Sequence, residues 1–86
     1  MMKLYLLDVP ENSGIVTVAA EDPALTVGRV GPYFEIRTDE AVIVIDRRAT
    51  DCRIAVWYSA IAGLTDCVVT QHDKNALRLE PASCRP

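Results

Sequence analysis

Four side chains in this sequence have the chemistry of nucleophiles, bases or metal ligands: Cys52, Cys67, His72 and Cys84. An imidazole titrates near neutrality, so His72 is the natural candidate for proton transfer. It lies in a His72-Asp73-Lys74-Asn75 run with the composition of a solvated turn. A cysteine–histidine nucleophile needs both side chains within hydrogen-bond reach and a third group to orient the base. Cys67 opens the apolar run that ends near His72, and five residues of strand separate the two by about 16 Å. The cysteines read more simply as buried small hydrophobes at 52 and 67, with Cys84 as an exposed thiol in the tail. Zinc sites draw on close pairs such as C-x2-C. The cysteine spacings here are wide and there is no second histidine, so neither a metal nor another cofactor is expected. The adjacent acids Glu21-Asp22 and Asp39-Glu40 fall in turns, and the four glycines are too scattered to cradle a phosphate. No catalytic constellation emerges, and the reading leans away from an enzyme.

The remaining residues suited to recognition are aromatic and cationic. Trp57, Tyr58 and Tyr33 are large amphipathic side chains, and Arg47, Arg48 and Arg53 lie close to the first two in sequence. These six are the candidate binding residues, either as an aromatic patch with cationic edges at a protein interface or as the wall of a ligand cavity. The simpler alternative is that Trp57 and Tyr58 cover a sheet.

The elements that position them follow from hydrophobic periodicity. Ala41-Val42-Ile43-Val44-Ile45-Asp46 is apolar at both parities and rich in β-branched residues, which predicts a strand covered on both faces at the centre of a sheet. Lys3–Val9 reads as a strand stopped by Pro10, and Pro10-Glu11-Asn12-Ser13-Gly14 as the turn of a hairpin leading into a strand over Ile15–Ala20. Leu25–Val30 is a further short strand that Gly28 weakens or bulges. Tyr33–Thr38 alternates cleanly, which places Phe34, Ile36 and Thr38 inward with Glu35 and Arg37 wet. Cys67–Gln71 and Ala76–Glu80 form a final hairpin with Leu77 and Leu79 on one face.

The segment 51–62 is ambiguous. As a helix it has Ile54, Trp57, Tyr58 and Ile61 on one stripe and Gly63 just beyond its end. As a strand it continues a spacing of about ten residues between strands, as in a small roll or barrel. Its alanines favour the helix. The tripeptide Thr-Asp-Cys occurs twice, at 50–52 and 65–67, which suggests one kind of turn into a strand.

The expected fold is therefore α+β: a mostly antiparallel sheet of five to seven strands with one short helix near 51–62, and an all-β roll or barrel as the alternative. Residues 1–81 make one domain, as befits a chain of 86 residues, and 82–86 a loose tail. Half the residues are apolar and 24 % charged, unlike a disordered chain. The net charge of −3 and the interleaving of arginines with acids exclude a basic nucleic-acid footprint. No stretch reaches the ~18 apolar residues of a membrane span, and the short apolar start lacks the features of a signal peptide. An odd number of cysteines fits a reducing, cytoplasmic setting. A small chain with this apolar excess and open sheet edges is expected to associate, as a homodimer or with a protein partner. The expected role is a non-catalytic accessory or interaction module. The alternative is a small-ligand-binding domain with an apolar pocket between sheet and helix.

Overall fold

A computed structural model describes residues 1–82. The chain runs β1 (Met2–Leu7), a 3-10 turn (Pro10–Asn12), α1 (Ser13–Glu21), β2 (Thr26–Val30), β3 (Tyr33–Thr38), β4 (Ile43–Asp46), α2 (Arg47–Thr50), α3 (Ile54–Ser59), β5 (Ile61–Thr65), β6 (Cys67–His72) and β7 (Ala76–Pro81). The strands form two antiparallel sheets, one of four strands in the order β2-β3-β1-β5 and one of three in the order β4-β7-β6. The fold is thus α+β with seven strands, and the sheets do not close into a barrel. Of the tail expected over 82–86, residues 83–86 lie outside the described residues, and Ala82 is tied back, its amide donating to Asp66 O at 3.1 Å.

One core joins the two sheets. Met2, Leu4 and Leu6 of β1, Ile36 of β3, Ile43 and Ile45 of β4, and Leu77 and Leu79 of β7 are all buried in it. Ile15 and Ala19, one helical turn apart on α1, and Trp57 of α3 complete it. This is period-2 burial on the strands meeting period-4 burial on a helix. The expected hairpin of β6 and β7 is present, with Leu77 and Leu79 of β7 buried and Arg78 between them exposed, and Ile36 and Thr38 of β3 face inward as expected. In the hairpin Leu77 pairs with Ile45 and His72, and Leu79 with Ile43 and Val69.

Four expectations are corrected. The segment Ile15–Ala20 is helical, so no hairpin joins it to β1. Its alternation of Ile, Val and Ala also satisfies helical spacing, and a tertiary contact decides the matter. A Cβ added at Gly14 would collide with the carbonyl oxygen of Thr50, so glycine lets the first turn of α1 lie directly against the end of α2. Second, Ala41–Asp46 is not a central strand. Only Ile43–Asp46 is extended, at the edge of the smaller sheet, with Ile43 and Ile45 buried and Val44 half exposed. Third, the helix near 51–62 is shorter than expected, and Ile61 and Gly63 belong to β5 rather than to its end. Ile54 and Tyr58 are about half exposed, so only Trp57 of the expected stripe faces the core as a helical residue. Fourth, Glu35 is buried, not wet.

The repeated Thr-Asp-Cys tripeptide does share a conformation. Asp51 and Asp66 both take the left-handed conformation at φ 59°, and the cysteine after each is buried. Aspartate is among the few non-glycine residues that tolerate this region. Only the second copy leads into a strand; the first ends α2.

Candidate binding surfaces

The six residues singled out by type are not brought together as one patch. Trp57 is buried, and its indole Nε1–H donates to the backbone carbonyl of Asp73 at 2.6 Å. His72 Nε2 lies 3.1 Å from Trp57 O; a carbonyl can only accept, so Nε2 carries the hydrogen. The imidazole also meets Trp57 edge-on at 5.7 Å between ring centres and Tyr58 at 5.1 Å. His72 therefore works as a packing link between α3 and β6 rather than as a free turn residue. Arg47 is likewise structural. Its Nε donates to Lys74 O, its Nη1 to Cys52 O at 3.0 Å, and its amide to Asn75 O at 2.9 Å. Arg48 and Arg53 are exposed and form no ion pair among the described residues. Of four surface grooves, Tyr33 lines two and Arg53 one, whereas Trp57, Tyr58, Arg47 and Arg48 line none of the four.

Among the described residues the thiol and imidazole groups are dispersed; Cys84 lies outside them. Cys67 Sγ points to Lys3 O at 3.5 Å from one end of β6, and His72 occupies the other end. Burial pushes the Cys67 thiol above its ordinary value, against smaller opposing effects from backbone hydrogen bonds. It is correspondingly a poor nucleophile at neutral pH. Cys52 Sγ points to Glu11 O at 3.8 Å. Among the described residues no group of three or more His, Cys, Asp or Glu side chains could hold a metal ion.

Sequence reasoning missed the surface that cross-strand register assembles. The outward residues of the four-stranded sheet form three rows, each crossing β2, β3, β1 and β5 or part of them. Val30, Tyr33 and Leu7 make an apolar row with exposures of 50, 37 and 42 %. Gly28, Glu35, Tyr5 and Gly63 make the middle row, and Thr26, Arg37, Lys3 and Thr65 a cationic one. In the middle row Tyr5 Oη donates to Glu35 Oε2 at 3.0 Å, with Arg37 Nη1 at 3.4 Å and Lys3 Nζ at 4.0 Å. Those three partners account for a carboxylate whose residue is only 7 % exposed.

The sheet edges differ in how they are protected. β5 and β6 are bulged at Ala62 and Thr70, and β4 has only four residues. β2 has five residues in unbroken register, with neither proline nor lysine. Its one charge, Arg29, is turned back over the Phe34 ring, 5.0 Å from its centre, and paired with Asp8. Gly28 sits at the centre of this strand. A Cβ there would meet nothing within 4 Å, and its φ is not in the left-handed region. The chain's own packing therefore gives no reason for glycine at this position.

Comparison with family models, with curated proteins and with solved structures returned no match. No helix among the described residues is long and apolar enough to cross a membrane.

Proposed function

We propose that this protein is a non-catalytic interaction module that works as a homodimer, its two copies joined edge to edge along β2. Gly28 carries the reading. Glycine weakens a strand interior, and where the fold itself does not require it, it commonly marks the close approach of another backbone. An unbulged edge strand is also the template that natural sheets usually blunt. Antiparallel pairing about a two-fold axis at Gly28 would set Val30 opposite Thr26 and Arg29 opposite Val27, so no like charges meet. The result would be an eight-stranded sheet in which the second copy supplies the missing neighbour of β2, by main-chain hydrogen bonding.

Sedimentation equilibrium tests this directly. The expected result is a species of twice the 9.5 kDa chain mass. A protein that stays monomeric up to about 100 µM, where even an interaction worth only ~5.5 kcal/mol would register, refutes it.

A further inference from the structure

The open groove between α3 and the 3-10 turn has walls of Leu7, Val9, Tyr33, Val56 and Ala62 and a volume of about 520 Å³, within the usual size of small-molecule sites. Its polar groups are largely acceptors. Asn12 is 95 % buried by its 5 % exposure, and its Nδ2 donates to Leu7 O at 2.8 Å. Because that carbonyl can only accept, the amide orientation is settled and Oδ1 points the other way. No protein donor reaches Oδ1 among the described residues. Since no side-chain polar atom sealed from solvent lacks a partner, Oδ1 must open to the outside, and the groove is the one that Asn12 lines.

Next to it, Glu11 is exposed and unpaired, its carboxylate in no ion pair with the described residues. The Ser59 hydroxyl, which also lines the groove, uses its hydrogen on the carbonyls of Ala55 at 2.9 Å and Val56 at 3.3 Å, so it can offer the groove only an acceptor. The Tyr33 hydroxyl, with no hydrogen-bond partner among the described residues, can take either role.

We infer that this groove binds a small primary amine, its ammonium group held between Asn12 Oδ1 and the Glu11 carboxylate and its apolar body against Val56, Tyr33 and Leu7. An ammonium brings three donors and no acceptor, which matches a set of unfilled acceptors beside a carboxylate. Anionic bodies of the same size are disfavoured by Glu11. No residue of β2 lines the groove, and the inference does not rest on the dimer.

The test is titration of the isotope-labelled protein with phenethylamine, and with 2-phenylethanol and phenylacetate as neutral and anionic bodies of similar shape. The amine is expected to shift the amide signals of Val56, Ala60 and Ala62, and to bind about tenfold more tightly than the alcohol. Glu11→Gln, at an exposed position that leaves the fold intact, is expected to remove about that factor for the amine alone. No shift at those amides at about 10 mM amine, where even fragment-sized ligands register, overturns the inference. So does equal affinity for amine and alcohol, or unchanged amine binding by Glu11→Gln.

Discussion

Tyr5 and Glu35 face each other across the β1–β3 pair, and the phenol donates to the carboxylate at 3.0 Å on the outer side of the sheet. The bond explains how an acid in an alternating strand ends up covered. Tyr5 is itself flanked by Gly63, where an added Cβ would meet the ring in ordinary van der Waals contact at 3.7 Å. Removing the phenol leaves Glu35 with its two cationic partners but short of one hydrogen bond. Tyr5→Phe is expected to cost about 1–2 kcal/mol, read from urea midpoints. Lys3→Ala, which loses only a 4.0 Å contact at a partly exposed site, is expected to cost less than about 0.5 kcal/mol.

Gly14 makes a sharper claim about α1. Its Cα faces the carbonyl of Thr50 with no space for a methyl group, and the obstacle is backbone, which cannot rotate away. Gly14→Ala is expected to destabilise by about 2–3 kcal/mol through overpacking, although alanine is the better helix former by nearly 1 kcal/mol. A neutral or stabilising substitution in thermal melts would mean that α1 and α2 do not touch here. At Gly28 the same substitution meets no atom of its own chain, so the isolated fold should tolerate it.

In β4 two adjacent residues should behave oppositely. Ile43 is buried and pairs with Leu79, whereas Val44 is 49 % exposed opposite Arg78. Ile43→Ala is expected to cost about 2–4 kcal/mol, and Val44→Ala within about 0.5 kcal/mol. From the sequence alone both substitutions would be expected to be costly. Similar losses at both in chemical denaturation would restore the doubly covered strand.

The β6–β7 turn carries a pH signature. Asp73 Oδ1 accepts from the amides of Asn75 at 2.9 Å and Ala76 at 3.0 Å, and Gln71 donates to its other oxygen. The hydrogen bonds from Ala76 and Asn75 hold its carboxyl below the ordinary aspartate value. A depressed acid contributes stability above its unfolded-state value and loses it as pH falls through the folded one. Melting temperature should therefore decline as pH drops below about 4, and Asp73→Asn should flatten that part of the profile. An unchanged acid limb in the variant would place the sensitivity elsewhere.

What was legible in the sequence was whatever depends on local period and turn chemistry. Tyr33–Thr38 and Ala76–Pro81 alternate, and Asp73-Lys74-Asn75 has the composition of a tight turn, so those elements stood out. The helix at Ser13–Glu21 did not, because Ile15, Val16, Val18 and Ala19 satisfy two periods at once and the arbiter, Thr50, lies 36 positions away from Gly14. The apolar run at 41–46 could not reveal that only one parity is covered, since that depends on which strands flank it. The outer rows were invisible for the same reason: Gly28, Glu35, Tyr5 and Gly63 are scattered along the chain and meet only through register. Trp57 was recognised by type, but its burial and its bond to Asp73 follow from tertiary packing.

The most direct test of the dimer is a register experiment at exposed positions of β2, followed by sedimentation equilibrium. With two-fold pairing at Gly28, residue 26 of one copy faces residue 30 of the other. Thr26→Lys combined with Val30→Lys sets lysine against lysine twice and should yield monomers, whereas Thr26→Lys combined with Val30→Glu creates two opposite-charge pairs and should retain the dimer. Equal masses for the two variants, or a monomeric parent protein, would contradict pairing along β2.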